Sequence, residues 1–570
     1  GDDFDVTELG AASGLQTLTV NANGAAVETI DIVAADGSNV IDVTPLTATS
    51  GTVQANGVGP VVTFAGLGTN ASDATLTITG GVNDDTLRVH GTNAAETIDV
   101  DGTTVSVGAL QQVTFAAVEA LEVDGSDGDD IFNVISAGIP IFIDGGDPIG
   151  GGTNGDVLNL LAASANVVFN PGPQIDEGSL VAGSNGPISY DRIEALGAFT
   201  VGVATINGTN DADAITVIAR SDTSAYPALA GNTPGVEDFT VSVNFGIEIL
   251  FVDTPMLTIN ALGGSDEITV RMPAPLATGD WDVDVTINGG TPSASGDKLV
   301  IETPGSDVVT YTAAAPNSGT FVLEQTAPST ISINEIERFI YDGEDADDTL
   351  QVHSTAGSAS TFTVVPGTQD DSGTVGVDSM LPIEFVALGA GGSITLIDDD
   401  TVKDDTLVYL GTTRDDRFTV SGTADGIVQL DNRVNVDAAD INALKLDAIG
   451  GDDGFTINIS TAFAGGVTVV GGDNGTGSDR LTVNGTTGDD TIAVDLGMHT
   501  VTVNSLGAVN YSGIEHLTVD GNGQSGGTGD DFDVTELGAA SGLQTLTVNA
   551  NGAAVETIDI VAADGSNVID

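Results

Sequence analysis

The feature that most constrains this chain is a strict two-residue alternation, cut into short runs. TLTVNA (from Thr17), TIDIVA (Thr29), TLTITG (Thr75), EALEVDG (Glu119), FTINIS (Phe455), DRLTVNG (Asp479) and TVTVN (Thr500) all place an apolar residue at every second position. A period of two is the period of a β-strand. Thr and Val, which dominate these runs, pack well on a pleated surface. Each run ends at Gly, Asp or Asn, the residues that tolerate tight turns. The nearest approach to a helical stretch is Val436–Lys445, VDAADINALK, and it is short. The fold class read from this pattern is all-β.

How the strands are arranged depends on their spacing. Two motifs recur. In one, a Gly/Asp turn feeds a strand: GDDFDV (Gly1), NDDTLRV (Asn83), DGDDIFNV (Asp127), GGSDEITV (Gly263), DADDTLQV (Asp345), TRDDRFTV (Thr413), GGDDGFTI (Gly450), GSDRLTV (Gly477) and GDDTIAV (Gly488). In the other, an aliphatic–Glu pair opens a strand: VEAL (Val118), IEAL (Ile193), IEIL (Ile247), IERF (Ile336), IEFV (Ile383) and IEHL (Ile514). The first core residues of successive Asp-turn strands lie 26 positions apart in three places: Phe132 and Leu158, Phe455 and Leu481, Phe532 and Ile558. A step of that size is too small for an immunoglobulin-like domain of about 100 residues. It predicts a β-solenoid, an elongated rod of stacked coils of about 26 residues, each resting on its neighbours. The alternative architecture is a tandem array of small β-sandwich domains joined by calcium.

A longer repeat overlies this one. Residues 1–42 recur letter for letter as residues 529–570. Long-period identity of this kind is the signature of an array. The expected organisation is one tandem unit over residues 1–528, with residues 529–570 beginning the next identical unit. After Asp570 such a chain would continue VTPLTATSG, as it does after Asp42.

Charge and composition bear on function. There are 83 acidic residues against 12 Lys and Arg, a net charge of −71. A surface of that sign repels nucleic acid and anionic membrane, both of which are held by basic contacts. There is no cysteine, so disulfides and thiolate metal sites are excluded. No apolar run approaches the length of a membrane-spanning helix.

The paired aspartates are the natural cation ligands. Ca²⁺ takes six to eight oxygen ligands from carboxylates and carbonyls in flexible geometry. The candidates are Asp129 and Asp130, Asp452 and Asp453, Asp473 and Asp479, Asp489 and Asp490, and Asp530 and Asp531. Asp398, Asp399 and Asp400 form the densest local charge. Asp at a turn also caps its own backbone without any metal, a second role open to each of these residues. GGDNGTGSDRLTV (Gly471–Val483), GGDDGFTI (Gly450–Ile457) and DGDDIFNV (Asp127–Val134) resemble the haemolysin-type, or RTX, calcium repeat GGxGxDxUx, where U is a large apolar residue. The resemblance covers short segments only, without successive strict nonapeptides. It implies calcium bound in Gly/Asp turns, and a giant repetitive protein of a bacterial surface.

Nothing in the sequence assembles a catalytic group. The four histidines, His90, His353, His499 and His516, follow no metal spacing, and carboxylate pairs recur too often to single out a site. Asp191–Arg192 and Asp431–Arg433 read as local ion pairs at turns. The functional expectation is a non-enzymatic structural subunit of a long extracellular bacterial filament, stalk, sheath or adhesin shaft, stabilised by divalent cations. Its partners would be further copies of the repeat and like filaments lying alongside. A ligand-binding adhesin of glycan or surface is the alternative, and a polysaccharide-active β-helix enzyme a remote one. The recurring Glu, beside an inward aliphatic, is expected to point to solvent.

Overall fold

The computed structural model describes residues 3–10, 14–22, 28–67, 74–147, 155–161, 166–220, 237–272, 281–292, 296–324, 328–355, 357–400, 402–421, 426–474, 478–522, 529–537, 542–550 and 557–563. Among them there are strands and turns but no helix. Val436–Lys445 is divided between the strands Asn435–Asp437 and Ala443–Asp447. The chain forms two units, Gly1–Ile268 with Trp281–Pro292, and Thr269–Asp280 with Ser293–Asp570.

In the first unit the chain passes back and forth between two sheets. One has nine strands, in the order Asp3–Leu9, Glu28–Ala34, Ala74–Thr79, Val113–Ala116, Thr104–Val107, Thr97–Val100, Ile131–Val134, Val157–Leu160 and Ala195–Leu196. All neighbours are parallel except Thr104–Val107, which runs antiparallel to both of its partners. The other sheet shows the same mixture. Val40–Thr47, Thr86–His90, Ala120–Asp124, Ile141–Asp144 and Ile188–Asp191 follow one another in parallel. Ser50–Ala55 is inserted antiparallel between Val40–Thr47 and Val61–Ala65.

The second unit repeats the scheme. Lys298–Glu302, Arg338–Asp342 and Ile383–Val386 are parallel, then Gly373–Val377 intervenes antiparallel before Thr361–Pro366. Arg417–Val420, Gly454–Asn458, Arg480–Asn484 and His516–Asp520 are parallel in the facing sheet. Side chains of the two sheets meet in the interior: Tyr311 and Phe321 come from one, Phe339 and Tyr341 from the other, with ring centroids 5.2 to 5.8 Å apart.

The alternation read from the sequence is the burial pattern. In Thr86–His90, Gly454–Asn458 and Arg480–Asn484 every second residue is buried and the rest are half-buried or exposed. The three 26-residue pairs are parallel partners in register: Phe132 with Leu158, Phe455 with Leu481, Phe532 with Ile558. The step is nevertheless not constant. Leu121 pairs with Ile141, 20 residues on, and Ile206 with Ile259, 53 residues on. Where an antiparallel strand is inserted the step lengthens, because parallel neighbours can take up a side excursion without losing register. Trp281 is fully buried in the first unit, donates to the Asp238 carbonyl at 3.2 Å, and sits edge-on to Phe239.

Candidate functional site

A buried carboxylate marks the entrance to strand after strand. Asp85, Asp130, Asp156, Asp213, Asp266, Asp297, Asp307, Asp348, Asp405, Asp416, Asp453, Asp479, Asp490 and Asp530 each stand immediately before a strand, and each is at most 7% exposed. The first core residue of that strand is always two positions on, as with Phe132 after Asp130, Phe455 after Asp453 and Phe532 after Asp530. Strand alternation therefore turns the aspartate inward. Burying a carboxylate is costly unless it is hydrogen-bonded, so each must find donors at the corner.

The donors come from the preceding turn of chain. The Asp130 N–H donates to Asp156 Oδ1 at 2.6 Å, Asp453 N–H to Asp479 Oδ1 at 2.8 Å, and Asp416 N–H to Asp453 Oδ1 at 2.7 Å. Asp490 N–H reaches Asp530 Oδ1 at 2.9 Å, Asp307 N–H reaches Asp348 Oδ1 at 2.7 Å and Asp213 N–H reaches Asp266 Oδ1 at 2.8 Å. In these six pairs the corner amide bonds the carboxylate of the next corner, whereas the Asp348 N–H goes to the Leu388 carbonyl at 3.0 Å. The bonds link into ladders, one running Glu96, Asp130, Asp156, Glu194 and another Asp416, Asp453, Asp479, Glu515.

Four of the recurring glutamates belong to these ladders. Glu119, Glu194, Glu337 and Glu515 accept the N–H of Asp85, Asp156, Asp297 and Asp479 at 2.7 to 2.9 Å. They also stand two residues before the first core residue; Glu119 and Glu337 are exposed, as expected, and Glu194 and Glu515 half-buried, but all four add a backbone bond that the expectation of a purely solvent-facing charge left out. Their extra methylene lets the chain lie at the rim while the carboxylate reaches the amide. Glu384 does face outward and pairs with Arg338 through two contacts of 2.8 Å. Arg192, expected to pair within its own turn, instead meets Asp144.

The second oxygen divides the corners into two kinds. After Gly208, Gly411 and Gly485 comes a threonine whose N–H and hydroxyl both bond the aspartate four residues on. Thr486 N–H reaches Asp490 Oδ2 at 2.6 Å and its hydroxyl reaches Oδ1 at 2.7 Å; Thr209 and Thr412 do the same for Asp213 and Asp416. At Gly485 a Cβ would stand 2.5 Å from Asp490 Oδ2, so the turn requires glycine. At Asp85, Asp130, Asp156, Asp307, Asp348, Asp405, Asp453 and Asp479 the buried Oδ2 has no hydrogen-bond partner. Burial, only partly offset by the backbone bond, pushes Asp130, Asp348 and Asp453 up to about 7. Asp156 and Asp307 rise to about 6 for the same reason.

The residues singled out as calcium ligands fall into two environments. Asp130, Asp453, Asp479, Asp490 and Asp530 are inner corner carboxylates; Oδ1 accepts a backbone N–H at Asp130, Asp453, Asp479 and Asp530, and the Thr486 hydroxyl at Asp490. Asp129 and Asp452 are half-buried beside them, and Asp489 and Asp531 are exposed. Asp473 begins the short strand Asp473–Asn474, and its side chain lies outside the described residues. Among the described residues, carboxylate oxygens of three residues gather within 4.8 Å of one another at Asp398, Asp404 and Asp405, beside the charge cluster noted in the sequence. The signal that would have separated inner from outer aspartates is the spacing to the first core residue. Comparison with family models and with curated proteins finds no match.

Proposed function

We propose that the chain is a structural element, part of the shaft of a long extracellular bacterial filament, stalk, sheath or adhesin, in which the strands stack as a β-solenoid. The observation that carries this reading is the corner ladder. It ties each turn of chain to the next through backbone N–H groups, the same way again and again, and uses its acidic residues for that purpose. Side chains in a catalytic site would differ from turn to turn; these repeat. In-register parallel pairing over 26-residue steps supports stacked coils over immunoglobulin-like sandwiches, which are antiparallel. A groove in the second unit lined by Asn458, Ser460, Thr461, Thr486, Asn504 and Asn522 has, among the described residues, no acid, base or histidine in its wall.

On this reading the identical 42-residue segments mark a tandem array, and the charge of −71 keeps neighbouring shafts apart until cations screen it. The test is negative-stain microscopy of a chain carrying two copies of residues 1–528 in series. Rods of even width whose length doubles with copy number support the proposal. Compact particles, or beads separated by linkers, refute it.

A further inference from the structure

We infer that Asp398, Asp404 and Asp405 form a binding site for one divalent cation of the calcium class. The inference concerns this cluster alone and stands apart from the filament reading. The three residues lie just before the strand Thr406–Leu410, in the loop that leaves the strand Ser393–Ile397. One carboxylate oxygen from each comes within 4.8 Å of the others.

Acidic neighbours on a surface are common without a ligand, so the weight falls on Asp405. It is fully buried and its Oδ1 is taken by the Ser360 N–H at 2.6 Å. Its Oδ2 is also buried and has no hydrogen-bond partner. Burial raises the pKa of this carboxyl, and the charges of Asp398 and Asp404 add to it, against the Ser360 N–H and the Ser354 hydroxyl, which both favour the ionised form. A buried oxygen without a donor, beside two further carboxylates, is an arrangement that a cation would satisfy.

The surrounding side chains leave the three residues available. Asp399 is paired with His353 at 2.8 Å, and Asp400 accepts the Gly357 N–H. Lys403, next in the chain to Asp404, turns away to Asp440 and the Ala439 carbonyl, both at 2.9 Å. Asp398 accepts the Asp400 N–H on Oδ1 at 2.7 Å and the Asp404 N–H on Oδ2 at 3.4 Å, which leaves lone pairs on both oxygens for a cation. Three carboxylates from one loop suit a hard cation that accepts irregular oxygen geometry and completes its shell with water; Mg²⁺ demands a stricter octahedron.

The experiment is equilibrium binding of Ca²⁺, by isothermal titration and by radioactive calcium retention, to the full chain and to a D398N/D404N double variant. Both substituted residues reach solvent, and the thermal melt in EDTA checks that the variant folds. The expected result is one equivalent of Ca²⁺ fewer, or one site weakened at least about tenfold, in the variant, with Mg²⁺ a poor competitor. A D405N variant should lose the same equivalent. Equal stoichiometry and affinity in all three chains, or no Ca²⁺ binding by the parent chain, would overturn the inference.

Discussion

The two copies of the 42-residue segment are the same sequence in different surroundings. In the first, Asp3–Leu9 pairs with Glu28–Ala34; in the second, Asp531–Leu537 pairs with Thr557–Ala562. The register is identical, with the same irregularity between Val6 and Leu9 as between Val534 and Leu537. Glu8 and Glu536 even share a positive φ, 60° and 59°. Burial is where the copies part. Ile30 and Ile32 are at most 1% exposed, because Ala74–Thr79 stacks on their strand. Their counterparts Ile558 and Ile560 are 46% and 53% exposed. The reverse holds one strand earlier: Phe4 is half-buried, whereas Phe532 is fully buried under Thr491–Asp495. Local sequence sets strand, register and turn, while a neighbour on each side makes the core.

The largest expected effect breaks that difference directly. Phe532→Ala should destabilise its region by about 3–5 kcal/mol, the cost of emptying a packed aromatic site. Phe4→Ala should cost about 1–2 kcal/mol, since part of that ring already meets solvent. The two strands lie far apart in a long chain, so the readout is native-state hydrogen exchange of each of them. Equal losses of protection would show that stacking does not decide burial here. A second test supplies a neighbour by appending a copy of residues 43–147 after Asp570. Thr557–Ala562 should then exchange as slowly as Glu28–Ala34, a gain of about 0.7–1.5 kcal/mol for each isoleucine, half the full-burial value because each is already about half covered.

The corner ladder sharpens the same point at the level of single residues. Asp453→Ala removes the acceptor of the buried Asp416 N–H, and should cost about 1–3 kcal/mol. Asp452→Ala, beside it, should stay within about 0.5 kcal/mol, like other surface changes. Chemical denaturation of the two variants separates them; matching losses would mean that the inner and outer aspartates are not distinct.

The same carboxylates set a pH dependence. Asp130, Asp348 and Asp453 are raised to about 7, and Asp156 and Asp307 to about 6. Unfolded aspartate titrates near 3.9. The folded state therefore holds protons that the unfolded state releases. Their contribution is complete below about pH 4 and is lost as pH rises through 6 to 7. Around Asp130 burial acts first, and the like charges of Asp156, Glu96 and Asp129 add to it in favouring the protonated form. In EDTA, Tm should fall by a few °C between pH 5 and pH 8. A Tm that rises over that range would contradict the burial of these groups as acids.

Much of this was legible in the residues. Alternation gave the strand class and the identity of the inward residues; the three 26-residue pairs proved to be partners in register. What the short motifs could not reveal was the step length, because an inserted antiparallel strand such as Ser50–Ala55 obeys the same alternation as the strands it separates. The carboxylates were found but not their roles. Reading Asp129–Asp130 or Asp489–Asp490 as a pair treats both residues as equivalent ligands. Counting back two residues from Phe132 or Ile492 places one inside and its companion outside. GTTGDD shows the aspartate that a turn can use, but that Thr486 supplies both donors to Asp490 follows only from the path of the turn. The Asp398–Asp405 loop was visible only as charge: that Asp405 turns inward follows from Leu407 being core, whereas its convergence with Asp398 depends on the path of the loop.

The smallest effect tests one motif in two positions. IERF and IEFV look alike, yet Glu337 stands two residues before Phe339 and accepts the Asp297 N–H at 2.7 Å, while Glu384 lies between the buried Ile383 and Phe385 and faces out. Glu337 reaches its donor from a solvent-exposed position, so the bond it makes is worth less than one in the interior. Glu337→Ala should cost about 0.5–1.5 kcal/mol, the net value of a single hydrogen bond. Glu384→Ala removes only an exposed pair with Arg338 and should cost about 0.5 kcal/mol or less, falling further in high salt. Salt is the sharper discriminator, because screening weakens the Arg338 pair but leaves a backbone N–H to carboxylate bond largely intact. If the Glu337 loss vanished in high salt as completely as the Glu384 loss, its carboxylate would be acting through surface charge, and the ladders would have to end at the aspartates.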